Sequence, residues 1–130
     1  MKPMVIRDDR LSKHFRAREF RCKCRRPECD AVPMDKAFVA KLQALRDDWG
    51  LPLSPTSGVR CRFWNERIRG YAPNSMHLKG RAADFWFEDP NITAAFIALA
   101  EKHGFGGIGK GRHKVHLDDR EHPARWVYKG

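Results

Sequence analysis

The segment between Asp35 and Gly50 constrains the fold of this chain more than any other stretch. Its apolar residues recur at the spacing of one helix face: Phe38, Val39, Leu42, Leu45 and Trp49. Asp35 can cap the start of a helix, and Gly50 can end it, because glycine readily adopts the left-handed conformation found at helix C-termini. We therefore predict a helix here with one apolar face, packed against a sheet.

The remaining elements are predicted to be short. A second helix is expected over residues 92–103, with Asn91 or Thr93 as its cap, and a third over residues 62–69. Strand candidates bounded by Gly, Pro or Asn lie at 53–59, 82–87, 114–118 and 126–128. Strands that follow one helix and surround another predict an α+β fold, with a small, mainly antiparallel sheet and flanking helices.

A chain of 130 residues, 42% of them apolar, has the size of one ordinary domain with its own core. We expect a single domain over residues 1–130 and a monomer, with residues 1–14 prone to fraying because they are polar and terminal.

The longest apolar stretch is far shorter than the ~20 residues that a bilayer span needs, so no membrane span is expected. Residues 1–10 lack the apolar core of a signal peptide, which predicts synthesis in the cytoplasm.

The charge balance predicts anionic partners. The chain has 26 Lys and Arg residues against 16 Asp and Glu residues, which gives a net charge of +10. Nucleic acid, anionic membranes and bacterial wall polymers would all attract such a protein. The basic residues are scattered, and the sequence shows no DNA-recognition helix or base-stacking motif, so nucleic acid is the least favoured of these partners.

Histidines and acidic residues make metal binding the first chemical question. If Gly80 permits a tight turn, His77 leads into the turn and Asp84 lies on the strand that leaves it, so both side chains can reach one point. His116, midway along another strand, could supply a third ligand. Two imidazoles and one carboxylate leave one position of a tetrahedral zinc open, as catalysis requires. The alternative is that these are ordinary surface or capping residues.

Three motifs carry a resemblance to a known family: SxHxxGxAxD at 75–84, TSGVR at 56–60 and HxD at 116–118. Together they closely resemble the zinc peptidases of the D-alanyl-D-alanine carboxypeptidase and L-alanyl-D-glutamate endopeptidase family. That family includes phage endolysins and shares its fold with the hedgehog signalling domain. The resemblance covers residues 15–118 and implies that His77, Asp84 and His116 bind Zn²⁺. It also implies that Arg60 faces the substrate, where its guanidinium could hold a terminal carboxylate through two hydrogen bonds.

Several neighbours of these motifs are candidates for supporting roles. Asp118 lies on the same strand face as His116 and could accept a hydrogen bond from its imidazole; the alternative is a solvated strand-end charge. Ser75 could steady the turn that presents His77 on the substrate side, unless it is a plain loop serine. Many members of the family place Asp or Glu three residues before the last zinc histidine as the general base. Here that position is His113, which we predict to be the acid/base residue.

An imidazole can take this acid/base role because its ordinary pKa is about 6.5. Asp118, Asp119 and Glu121 are the reserve candidates. The alternative for His113 is a solvent-exposed loop histidine with no role.

Four cysteines form a second group: Cys22, Cys24, Cys29 and Cys61. Four thiolates suffice for a structural zinc, but two disulfides or buried reduced thiols are equally open, and synthesis in the cytoplasm argues against oxidation. A disulfide between Cys22 and Cys24 is disfavoured in a strand, where alternate residues lie too far apart. Any crosslink should therefore reach Cys61, and we predict a structural role for all four residues.

The sequence thus predicts a zinc metallopeptidase that cuts stem peptides or crossbridges of bacterial peptidoglycan, with phage lysis enzymes among its relatives. A basic surface suits this reading because cell-wall polymers are generally anionic. Such an enzyme would act in the periplasm or cell wall after release, or in a phage particle. The competing hypothesis is a catalytically inactive, zinc-stabilised module that binds cell wall or belongs to a virion.

Overall fold

Five short strands form one sheet in the computed structural model, which describes residues 9–128. They are β1 (Pro55–Ser57), β2 (Ala82–Trp86), β3 (Gly107–Lys110), β4 (Lys114–Asp118) and β5 (Ala124–Val127). The strand order is β1-β2-β4-β3-β5, and every neighbouring pair is antiparallel except β3 with β5. The predicted α+β class with a mainly antiparallel sheet is confirmed.

The longest helix, α1 (Lys36–Trp49), begins and ends where its flanking residues predict. The Asp35 carboxylate accepts a hydrogen bond of 2.9 Å from the Phe38 amide, which satisfies one of the free donors at the helix start. Gly50 has φ +74°, the left-handed conformation that closes a helix. The sequence signals for this helix were therefore local and sufficient.

The other two helices differ from the expectation. Helix α3 (Thr93–Lys102) has neither Asn91 nor Thr93 as its cap, because the 3₁₀ turn Pro90–Ile92 leads directly into it. Asp89 caps that turn instead, with its carboxylate accepting from the Asn91 amide at 2.9 Å. Helix α2 (Arg62–Asn65) is a single turn, shorter than the predicted 62–69.

Strand β3 was not predicted, because two of its four residues are glycines and give no alternating pattern. Both positions require glycine because side chains of neighbouring strands lie too close for a Cβ atom. A Cβ at Gly107 would lie 2.1 Å from the Asp118 carboxylate, and one at Gly109 would lie 2.5 Å from the Trp126 indole. The predicted strand at 126–128 is found at Ala124–Val127.

Alternation along the central strands separates the two faces of the sheet. One face carries Ala83 and Phe85 of β2 with Val115 and Leu117 of β4, which pack into the main core. Helices α1 and α3 cover this core with fully or nearly fully buried residues: Phe38, Val39, Leu42, Leu45, Phe96 and Ala100. The opposite face therefore receives the residues between them, and these are polar.

The described part of the N-terminal segment packs beside α1. The Ser12 hydroxyl and the His14 amide both donate to the Gln43 side-chain oxygen, at 2.7 and 2.8 Å. Residues 1–8 lie outside the described residues. Among residues 9–128, no helix has the length and apolar character needed to cross a bilayer.

Substituting Leu42 tests the position of the core. Leu42→Ala removes a fully buried side chain from the middle of α1, so we expect a loss of about 2–5 kcal/mol in the free energy of unfolding. Leu51→Ala, at a side chain that is 54% exposed, is the control and should change this value by less than about 0.5 kcal/mol. Denaturant unfolding measures both, and equal losses would contradict the core described above.

Candidate metal centre

Three buried side chains meet on the polar face of the sheet. The Asp84 Oδ1 atom lies 2.9 Å from His116 Nδ1 and 3.4 Å from His77 Nε2, and the two nitrogens are 3.2 Å apart. The register of β2 against β4 sets Asp84 directly opposite His116. The structure therefore brings together all three residues predicted as metal ligands.

A short 3₁₀ turn, Met76–Lys79, delivers the third residue to this face. The Ser75 hydroxyl caps the turn by accepting a hydrogen bond of 3.2 Å from the His77 amide. Gly80 ends the turn at φ +67°, and a Cβ there would lie 2.4 Å from the Pro33 carbonyl oxygen. Only glycine suits both the conformation and the space, so Gly80 fixes where His77 points.

The outer nitrogen of each histidine has its own partner. His77 Nδ1 donates to the Gly58 carbonyl oxygen at 2.6 Å, and His116 Nε2 donates to Asp118 Oδ2 at 2.7 Å. A carbonyl can only accept, so the proton of a neutral His77 lies on Nδ1 and its Nε2 lone pair faces the cluster. Such partners orient metal-binding imidazoles in proteins.

The protonation of the cluster follows from burial and from these contacts. Burial lowers the pKa of His77, against the pull of Asp84, which favours the neutral form that a ligand needs. Burial would raise the pKa of Asp84, but hydrogen bonds from His116 and His77 outweigh it and hold this pKa below its ordinary value. Burial also opposes a charged His116, yet hydrogen bonds to Asp118 and Asp84 raise its pKa. A cation at this position competes with the His116 proton.

The donor set fits a zinc ion. Zn²⁺ bound to nitrogen and oxygen at about 2.0–2.1 Å in a tetrahedron has ligand atoms about 3.3 Å apart. The three separations of 2.9, 3.2 and 3.4 Å lie close to that value. His77, Asp84 and His116 could thus hold one metal ion through three ligands.

A cavity of about 690 Å³ opens onto the cluster. Arg60 and Ser75, both predicted on the substrate side, line it together with the three candidate ligands. Arg60 Nη2 lies 3.5 Å from Asp84 Oδ2, and Arg60 Nη1 donates to Asn65 Oδ1 at 3.3 Å. Its buried Nε has no hydrogen-bond partner within residues 9–128, and burial lowers the pKa of this guanidinium. Arg60 is therefore a cavity residue that also contacts a candidate ligand.

Asp118 lies behind the cluster and does not line the cavity. Its side chain is fully buried between His116 and Arg120, whose Nη2 donates to Asp118 Oδ2 at 2.5 Å. Burial would raise the pKa of Asp118, but hydrogen bonds from Arg120 and His116 lower it. The geometry matches the orienting contact expected for Asp118, and the buried carboxylate is out of reach of a substrate in the cavity.

His113 is not brought to the cluster. Its ring stacks on Trp86 with centroids 4.7 Å apart, and its Nδ1 lies 2.9 Å from the Phe87 carbonyl oxygen. It does not line the cavity. The reserve candidate Asp119 points elsewhere, because it pairs with Lys41 at 2.7 Å. The acid/base role of His113 stays a prediction without support from these contacts.

Sequence reasoning missed several residues around the cavity. Lys114 Nζ lies 3.8 Å from Asp84 Oδ2 and 4.4 Å from the Tyr128 ring centroid. Trp126 approaches His116 with ring centroids 5.1 Å apart. Lys114 could have been found from the sequence, since it precedes His116 by two residues and lies on the same strand face. Trp126 could not, because it lies on β5 and the pairing of β5 with β3 has no local sequence signal.

The four cysteines are also brought together, outside this centre. Their Sγ atoms all lie within 4.8 Å of one another. All four are free thiols in the structure.

Comparison with known proteins identifies one family. The family model described as Peptidase M15 matches residues 13–118, which include every residue of the cluster. No curated protein matches the chain.

Asp118→Asn tests whether the buried carboxylate supports metal binding. The change removes the negative charge that orients His116, so we expect zinc affinity to fall by about 10–100-fold. Asp119→Asn is the matched control, since the neighbouring carboxylate pairs with Lys41 and should leave zinc affinity unchanged. Competition with a chromophoric chelator measures both variants, and equal affinities would show that Asp118 has no such role.

Proposed function

This chain belongs to the peptidase M15 family, and from that membership we propose that it is a zinc metallopeptidase acting on peptides of bacterial peptidoglycan. The family consists of zinc-dependent peptidases. The observation that carries the proposal is the buried His77, Asp84 and His116 cluster, which lines a cavity together with Arg60. Stem peptides and crossbridges are the proposed substrates.

The number of candidate ligands supports a catalytic role for the metal. Three protein ligands would hold the ion and leave a position open towards the cavity, which is the arrangement of catalytic rather than structural zinc. When bound, zinc supplies a Lewis acid that polarises the scissile carbonyl and lowers the pKa of water to near neutrality. Gly58 and Asp118 keep the two imidazoles oriented for this task through their outer nitrogens.

The charge of the cavity supports an anionic peptide as substrate. Its charged lining residues are basic apart from the candidate ligand Asp84: Arg60, Arg69, Lys114 and Arg120. Stem peptides carry free carboxylates, and a guanidinium binds a carboxylate through two parallel hydrogen bonds. In this proposal Arg60, whose side chain lines the cavity, orients the peptide beside the cluster.

The net charge supports the proposed place of action. A charge of +10 concentrates the protein on anionic wall polymers, where long-range attraction raises the encounter rate. We therefore propose that the protein acts at the cell wall, after release from the cytoplasm or as part of a phage particle.

One observation favours a second candidate, a wall-binding module without catalysis. Among the described residues, Asp84 is the only carboxylate that lines the cavity. The position that carries the general base in many relatives is His113, which is engaged with Trp86 and Phe87. Such a module would keep the metal and the cavity but lack a proton acceptor beside the peptide.

Incubation with purified peptidoglycan separates these two candidates. We expect the zinc-loaded protein to release new amino groups, the reaction to stop when a chelator removes the metal, and added zinc to restore it. Asp84→Ala should lose hydrolysis and the zinc of this cluster, because two ligands rarely hold zinc competitively. If the fully zinc-loaded protein binds to the polymer but releases no amino groups, the peptidase proposal is wrong and the binding module is the better candidate.

Arg60→Lys tests the proposed substrate contact. Lysine keeps the positive charge but loses the paired donors, so we expect kcat/KM to fall by roughly tenfold or more while zinc content and melting temperature stay unchanged. Arg69→Lys, at another basic residue of the cavity wall, is the comparison variant. Unaltered kinetics of Arg60→Lys on every accepted peptide would remove Arg60 from the substrate site.

His113→Ala tests the acid/base prediction. If His113 accepts the proton, hydrolysis should fall by about 10²–10⁴-fold at matched zinc occupancy, and the pH profile should lose the limb that reports the imidazole. Trp86→Ala, which removes the stacking partner and leaves the imidazole in place, controls for disturbed packing. Superimposable profiles for wild type and His113→Ala would eliminate His113.

A further inference from the structure

Four cysteine sulfurs converge on one point that the proposed peptidase reaction does not use. Cys22, Cys24 and Cys29 come from the segment before α1, and Cys61 comes from the residue that caps α2. Every pair of their Sγ atoms lies within 4.8 Å, and the Sγ atoms of Cys22 and Cys61 are 3.6 Å apart. The side chains of Cys22 and Cys61 are buried, whereas Cys29 is exposed.

The spacing of these sulfurs matches a shared metal ion better than disulfides. Sulfurs bonded to one another lie about 2.05 Å apart and occur in pairs. Sulfurs bound to one tetrahedral Zn²⁺ at about 2.3 Å lie about 3.8 Å apart, and all four surround the same point. We propose that Cys22, Cys24, Cys29 and Cys61 bind a second, structural zinc ion.

The backbone around the cysteines is arranged for thiolates. The amides of Arg26, Cys61 and Trp64 each point at a sulfur: Arg26 N to Cys24 Sγ at 3.5 Å, Cys61 N to Cys22 Sγ at 3.3 Å and Trp64 N to Cys61 Sγ at 3.5 Å. Donors of this kind stabilise negative charge on sulfur. Arg25, between Cys24 and Arg26, has φ +57°, a left-handed conformation that is uncommon for a non-glycine residue.

The charges around the cysteines also suit four thiolates bound to one zinc ion. Four thiols lose four protons on binding Zn²⁺, so the complete site carries a charge of about −2. The surrounding residues have a positive balance, with Lys23, Arg25, Arg26 and Arg62 against Glu28 and Asp30. Four protein ligands fill the coordination sphere and leave no open position, which is the property of a structural rather than a catalytic zinc.

The location of this site gives it a consequence for the metal centre. The zinc would join the segment of Cys22 to the segment 58–61, which also meet where the Val59 amide donates to the Phe20 carbonyl oxygen at 2.9 Å. Segment 58–61 supplies the Gly58 carbonyl that orients His77, as well as Arg60. The second zinc therefore anchors the loop that holds one metal ligand and one cavity residue. This inference stands whether or not the protein is a peptidase.

Metal content tests the proposal directly. Protein purified under reducing conditions should contain two zinc ions per chain, one for each cluster. Asp84→Ala combined with His116→Ala should retain one, Cys24→Ser combined with Cys29→Ser should also retain one because two ligands rarely hold zinc competitively, and the combination of all four changes should retain none. Cys24 and Cys29 are the substitutions of choice because neither is fully buried, and the Asp84→Ala, His116→Ala variant is the matched control.

Coordination by sulfur is tested on protein with all four cysteines intact, so the result does not depend on how the cysteine variant folds. X-ray absorption at the zinc edge of the Asp84→Ala, His116→Ala variant should show sulfur neighbours at about 2.3 Å and no lighter ligands. Replacement of that zinc by Co²⁺ should give thiolate-to-metal charge-transfer absorption.

Three results would overturn the proposal. They are one zinc per chain in the wild type with the same content in Cys24→Ser, Cys29→Ser, two disulfides by mass in freshly purified protein, and iron in place of zinc at the cysteines. The first outcome would leave the peptidase proposal intact. Conversely, absence of hydrolysis by wild-type protein that holds both zinc ions would overturn the peptidase proposal alone.

Discussion

The antiparallel register between β2 and β4 is the constraint on which the rest of the structure depends. It sets Asp84 opposite His116 on one face while Phe85 and Val115 enter the core on the other. A slip of one residue would exchange the two faces, placing carboxylate and imidazole in the core and aromatic rings on the polar side. The burial of the core residues therefore also fixes the position of two candidate metal ligands.

The buried polar network is stable because each member has a partner. Arg120 neutralises Asp118, Asp118 holds His116, and the Gly58 carbonyl holds His77. An isolated buried charge would cost several kcal/mol, whereas a fully paired chain of hydrogen bonds can be rigid and specific. Glycine makes this packing possible, since Gly107 leaves room for the Asp118 carboxylate and Gly80 for the Pro33 carbonyl.

The residues 58–61 connect the two clusters of potential metal ligands. Gly58 lies so close to Phe20 that a Cβ would be 2.5 Å from the Phe20 Cα, so this loop and the N-terminal segment pack backbone to backbone. Arg60 faces the cavity while Cys61 faces the sulfur cluster. The described part of the N-terminal segment thus supports the loop that shapes the candidate active site, although it contributes no candidate ligand to it.

The sequence by itself determined the features with a local signal. Helix α1 follows from its apolar spacing and its flanking Asp35 and Gly50, and the three candidate metal ligands were predicted from the sequence motifs that contain them. It did not determine β3, because its glycines are needed only where Asp118 and Trp126 approach them from other strands. It also did not determine that β5 pairs with β3 in parallel. It left the cysteines open among three states, because only the fold brings Cys61 to the other three. Tertiary structure likewise decided that Asp118 is buried behind His116 and that His113 stacks on Trp86, since a residue's neighbours across a sheet are set by register and not by sequence distance.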